Sequence, residues 1–333
     1  MFSKKTLFRL LINTAIGAVL IFFWLKLVNL EEILKELRKV NLFAVLPFVI
    51  FFALAGALRG IRLKYLLKEF KIPTLRMVAL NYFSQLLSFM IPLRLGEIAK
   101  GVYLSTEYNL PASKALVWVF MDRFIDFWVV LLSSLILLLL IPTNLPANLG
   151  LVLIILIGLF SFAGAVAIFF PTFGRKIIGI IKHIFVFNRL KEIFEKVSHF
   201  LLDSASFLNK GFKGTLIIVF LSLLSYIAEA LGWYTLFLAV FKGADFLKLL
   251  LGTLLTVLTY IIPAAPGYVG SAEAAILAVF SLGLGYDRTL VSVATLISHA
   301  LTLICILIFG FISLYFLKFD LSLVWKKLKG QED

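Results

Sequence analysis

Long apolar runs alternate with short basic connections along the whole chain. A helix that crosses a bilayer needs about 20 predominantly apolar residues. Six predicted spans come near or above that length: Leu7–Val28, Leu42–Leu58, Ala115–Ile141, Gly150–Phe170, Gly214–Phe241 and Thr289–Leu317. Met77–Ile91 and Leu249–Ile262 are apolar but too short to cross comfortably. Each stops at an Ile-Pro pair, with glycine and then glutamate soon after: IPLRLGEIAK over Ile91–Lys100 and IPAAPGYVGSAE over Ile262–Glu273. In lipid, backbone groups released by Pro or Gly must find partners in protein or in a water-lined cavity. Both stretches therefore predict broken, re-entrant helices around an interior site. Pro92, Gly96, Pro263, Pro266, Gly267 and Gly270 are the expected break residues. Asn81, Ser84, Gln85 and Ser88 suit a helix that enters protein rather than lipid.

Charge orients these segments. Lys4, Lys5 and Arg9 precede the first run, which predicts a cytoplasmic N-terminus. No small-residue cleavage site follows that run, so it is expected to stay as a helix rather than leave as a signal peptide. Asn29–Asn41 carries charges around Ile33, Leu34 and Leu37 at helical spacing, which predicts an interfacial helix on the outer side. Arg59, Arg62, Lys64, Lys68, Lys71 and Arg76 form the densest basic stretch and are expected in the cytoplasm. Pro142–Asn148 has no charge and marks the outer side. Residues 171–213 form a basic amphipathic connection expected on the cytoplasmic surface, and Lys318, Lys326, Lys327 and Lys329 place the C-terminus inside. The order is then span, span, re-entrant pair, span, and the same again from the opposite side. The predicted fold is an all-α polytopic membrane protein, one integral membrane domain over 1–333. Its two inverted-topology halves, 1–141 and 150–317, each hold about three spanning helices and one re-entrant pair. Such symmetry points to a transporter with its site at the interface of the repeats.

Composition agrees. Of 333 residues, 62% are hydrophobic and 15% charged, against roughly half and a quarter in soluble domains. The net charge of +14 sits in the connections, where it suits anionic headgroups, and no nucleic-acid module is present. The single Cys305 forms no intrachain disulfide. The sequence shows no metal-ligand cluster, no Ser–His or Cys–His arrangement and no nucleotide-phosphate loop, so neither enzyme nor cofactor is expected.

Three motifs in order, IPLRLGEIAKG, MDRFIDF and PAAPGYVGSAE, resemble those of the membrane region of lysylphosphatidylglycerol synthases and the stand-alone flippase-like proteins related to it. The resemblance runs from the first span to the last. In bifunctional members an aminoacyl transferase domain follows. Here the sequence stops at Asp333, so the resemblance implies the flippase activity without the synthase. The expected function is movement of an anionic or zwitterionic phospholipid, or a polyprenyl-phosphate-linked lipid, between leaflets of the cytoplasmic membrane. A lipid-modifying enzyme is a possible partner. The alternatives are a proton-coupled carrier of a small amphipathic solute and, less favoured, an intramembrane lipid-modifying enzyme.

Candidate site residues follow from the cost of charge in a membrane. Arg94 matches phosphate oxygens bidentately. Glu97 can hold a proton or a lipid amine, or pin the hairpin by pairing with Arg94, and Gly96 between them gives a ligand room to approach. Asp122 and Asp126 share a helix face, with Arg123 three residues from Asp126. Two carboxylates so close need a cation, from Arg123, Arg94 or a cationic substrate; a ligand site and a buried structural network are equally open. Glu273 is expected first as a helix-start carboxylate and second as a proton or cation site. Glu229 stands alone in mid-span and is a candidate for proton coupling with Glu273. His299 is expected as a hydrogen-bonded core histidine. His183 and His199 have no metal-like spacing.

Overall fold

The computed structural model describes residues 24–90, 95–181, 211–240, 243–260 and 265–320, with scattered positions among 18–22 and 191–204. Most of Leu7–Val28 and of the 171–213 connection, and residues 321–333, lie outside the described residues, as do Pro92, Arg94, Pro263, His183 and His199. Among the described residues the regular structure is helical, with no strand.

The helices are α1 (Leu30–Leu37), α2 (Leu46–Leu66), α3 (Thr74–Met90), α4 (Leu95–Tyr108), α5 (Ala112–Leu140), α6 (Ala147–Phe169), α7 (Pro171–Ile181), α8 (Gly211–Val240), α9 (Phe246–Thr259), α10 (Ser271–Ile276) and α11 (Arg288–Leu317). α10 runs on as one π-helical stretch, Leu277–Gly283. Five of these, α2, α5, α6, α8 and α11, are long and apolar enough to cross a membrane. The protein is a multi-pass membrane protein. On α6, Leu151, Ile155, Leu159, Phe160 and Phe162 are all exposed, a surface that only lipid would cover.

Polar side chains start several helices. Asn29 accepts from the Glu31 and Glu32 amides at the head of α1, the predicted interfacial helix, whose Ile33 is buried. Asp245 caps α9 and Asp287 caps α11 through the amides of Lys248 and Leu290, each at 2.9 Å.

α2 packs along α8 more extensively than any other pair of helices, and α3 along α11 comes next. On α2, Gly56 and Gly60 face α3. A Cβ at Gly60 would lie 2.5 Å from the Val78 Cα, so only glycine lets these helices approach so closely. Asn81 Nδ2 donates to the Gly56 carbonyl at 3.0 Å, and the Tyr82 hydroxyl donates to the Ala53 carbonyl.

The two larger apolar cores among the described residues occupy opposite stretches of the same helices. One holds Leu63, Leu66, Phe83, Trp118, Ile125, Ile218 and Leu317. The other holds Phe48, Leu138, Phe237, Phe280 and Val291. On α2 the changeover falls between Phe48 and Leu63, and on α8 between Ile218 and Leu236. Arg59 and Arg62 of α2 and Glu229 of α8 lie in those intervals.

The boundary of the second predicted span needs correction. The helix continues past Leu58 to Leu66, so Arg59, partly buried, and Arg62, fully buried, belong to that helix and not to a cytoplasmic loop. Carboxylates on α5 and α8 take up their charge, which is why the helix keeps them inside.

Candidate functional site

Arg59 and Arg62 are three apart on α2 and point toward α8 and α5. Arg62 is fully buried. Its Nε donates to Asp122 Oδ1 at 2.8 Å, and its Nη1 donates to Asp126 Oδ1 and to Ser222 Oγ, the latter at 2.7 Å. Arg123 adds a second cation, 3.4 Å from Asp122 Oδ2 and 3.5 Å from Asp126 Oδ2, and its Nε reaches Glu97 Oε1 at 3.2 Å. Buried Lys100 closes the chain, 3.3 Å from Glu97 Oε2 and 3.3 Å from Asn81 Oδ1.

α8 answers with one stripe. Ser222, Tyr226 and Glu229 are spaced four and three apart on one face. Tyr226 donates its hydroxyl to Asp126 Oδ2 at 3.0 Å. Arg59 lies over the Tyr226 ring, 5.3 Å from its centroid, and donates to Glu229. Four cations, Arg59, Arg62, Lys100 and Arg123, thus meet four carboxylates, Glu97, Asp122, Asp126 and Glu229. The network is formally neutral, so each charge is offset within it. An ion buried without such a partner would cost several kcal/mol.

A cavity of about 490 Å³ opens beside this network. Its polar wall includes Arg59, Glu97, Lys100, Arg123, Asp126 and Glu229, and Phe52, Phe89, Val257 and Ile306 supply apolar wall. Exposure divides the charged residues. The side chains of Arg123 and Glu229 are each 30% exposed, and that of Glu97 24%, whereas Arg62, Asp122 and Lys100 are at 1% or less. The first three present charge to the cavity; Arg62 and Asp122 join α2 to α5, and Lys100, at the cavity wall, joins α4 to Asn81 of α3. Among the described residues no group of three His, Cys, Asp or Glu side chains is placed to hold a metal ion.

The second break reaches the same space. Pro266–Tyr268 forms one 3-10 turn against α3, and Tyr260 and Tyr268 line the cavity. Glu273 accepts from the Gly270 amide at 2.7 Å, the helix-start role foreseen for it, and also contacts His299.

A family profile described as the lysylphosphatidylglycerol synthase TM region matches residues 10–310. The chain belongs to that family. No curated protein matches it. Membership in the lysylphosphatidylglycerol synthase TM-region family places the chain among membrane proteins that handle lipid. All three motif stretches noted above lie within the matched residues.

Within this family member, Glu97, Asp122, Arg123 and Asp126 come together as one cluster. Glu273 stands apart from it, and Arg94 lies outside the described residues. Glu229 is not alone: it is paired with Arg59, which corrects the expectation of an isolated mid-span carboxylate. Gly96 also serves another purpose. A Cβ there would fall 1.9 Å from the Ser84 carbonyl oxygen, so the glycine lets α4 fold back on α3 rather than making room for a ligand. Sequence reasoning missed Arg59, Arg62, Lys100 and Tyr226. The polar stripe Ser222, Tyr226, Glu229 on an otherwise apolar helix was the available signal for part of this set.

Proposed function

We propose that this protein moves a lipid with a phosphate-bearing headgroup, anionic or zwitterionic, between leaflets, and that the cavity beside the Arg59–Glu229 and Arg123–Glu97 pairs receives the headgroup. The observation that carries this reading is a polar cavity of about 490 Å³ inside an apolar bundle, with partly exposed guanidinium and carboxylate groups on its wall. A guanidinium presents a fork of donors to phosphate oxygens, and a carboxylate matches an amine. Since every cavity cation already has an internal partner, a phosphate enters by replacing a carboxylate.

The helix order supports two inverted halves. α2, α3, α4 and α5 correspond to α8, α9, α10 and α11, with a break between the second and third member of each set. The packing is reciprocal: α3 lies on α11, and α9 lies on α5. α2 and α8 meet each other along the middle. In this reading each short pair re-enters the membrane, both termini are cytoplasmic, and the protein sits in the cytoplasmic membrane. The activity is transport rather than catalysis, and an enzyme that makes or consumes the lipid is its natural partner.

Exchange of fluorescent lipids in proteoliposomes tests the reading. Exchange confined to one headgroup class supports it. Transport of a small amphipathic solute with no lipid exchange would favour a carrier instead.

A further inference from the structure

Glu273 and His299 are not among the residues that line the cavity, and the ion-pair network does not use them. Their geometry is constrained by hydrogen-bond bookkeeping. His299 Nε2 lies 2.9 Å from the Gly267 carbonyl oxygen. A carbonyl only accepts, so Nε2 carries a hydrogen. Nδ1 lies 2.6 Å from Glu273 Oε1. One more hydrogen must sit between those two atoms. It makes either an imidazolium beside a carboxylate or a neutral imidazole beside a carboxylic acid, and the proton count is the same in both. Without it, two lone pairs face each other and the bridge fails.

What the bridge fastens is a constrained turn. Gly267, Tyr268 and Gly270 have φ of 70°, 58° and 82°. Glycine adopts such values freely, but Tyr268 does so under strain. The turn is held on one side by His299 of α11. On the other it meets α3, where Phe89 lies edge-on to the His299 ring at 6.4 Å. The turn carries Tyr268, which lines the cavity. The other titratable groups here are the Tyr260 and Tyr268 phenols, with rings 5.2 Å apart, and Glu229 of α8, which acts on Tyr260. α3 contributes the uncharged Phe89. Tyrosine ordinarily ionises near pH 10 and Glu229 is paired with Arg59, so between pH 6 and 9 we take the imidazole–carboxyl pair as the group here that exchanges a proton.

We infer that Glu273 and His299 form a proton-binding site that latches the second break to the last helix, so that loss of one proton releases the turn that forms one wall of the cavity. The site stands whether or not the cargo is a lipid. It is tested by cysteine accessibility in the purified full-length protein after Cys305→Ala. Ala265 is buried in the latched turn, and Val269 is exposed beside it. Labelling of Ala265→Cys, divided by that of Val269→Cys to remove the thiol's own ionisation, should rise roughly tenfold per pH unit below the site's midpoint and level off above it. Glu273→Gln supplies the missing donor permanently: its amide N–H reaches Nδ1 while its oxygen still accepts from Gly270. That variant should stay protected and flat from pH 6 to 9. His299→Ala should be labelled at the high level throughout. A flat parent profile, or a Glu273→Gln profile that climbs with the parent's, overturns the assignment. The readout is labelling, so its failure is distinct from failure to move lipid.

Discussion

Arg62 shows what one side chain does in this bundle. It is fully buried and joins α2 to both aspartates of α5 and to Ser222 of α8. Removing it leaves Asp122 with Arg123 alone, and strips Asp126 of its closest cation. Breaking a buried pair costs roughly 3–5 kcal/mol. Arg62→Ala should therefore lower the melting temperature in detergent sharply, and adding Asp126→Asn should recover part of the loss. An unchanged melting temperature would contradict the structural role. Asp122 and Asp126 were legible as a pair because their spacing of four shows in the sequence. Arg62 was not. Counting positive charges assigns any arginine at the end of an apolar run to a loop, and its partners lie 60 and 64 residues away. The neutral balance of the cluster is invisible for the same reason, since charge counting puts Arg59 and Arg62 in water.

At the scale of elements, the two breaks were legible and their packing was not. Prolines and glycines mark where helices stop, and α3 and α9 do end just before them. Nothing local says that Gly96 sits under the Ser84 carbonyl, or that the Pro266–Tyr268 turn meets α3. Those contacts are settled by which helices are neighbours. Gly96→Ala must push α4 away from α3, and overpacking of this kind costs about 1–3 kcal/mol. Thermal unfolding should show the loss. Gly179→Ala on α7 is the control, since a Cβ there meets nothing within 4 Å, and it should be neutral or slightly stabilising. Equal effects at the two glycines would remove the close α3–α4 crossing from the account.

At the scale of the molecule, membrane-protein class and helical fold follow from run length and charge placement alone. Which helices pack together needed the structure, because the sequence repeats little beyond Ile-Pro, glycine and glutamate. Orientation has its own test. Cysteines at Asn144 and Lys176 should be labelled from opposite sides of an intact membrane, Asn144 from outside and Lys176 from inside. Labelling of both from one side would break the inverted arrangement. The most direct measurement of the central claim is leaflet exchange in proteoliposomes. The parent protein should be compared with Arg59→Ala and Arg123→Ala across phospholipids and a polyprenyl-phosphate-linked lipid. The account predicts exchange of one headgroup class, lost with either substitution while the protein remains folded. Exchange that both variants preserve, or no exchange of any lipid by a folded parent, would contradict it.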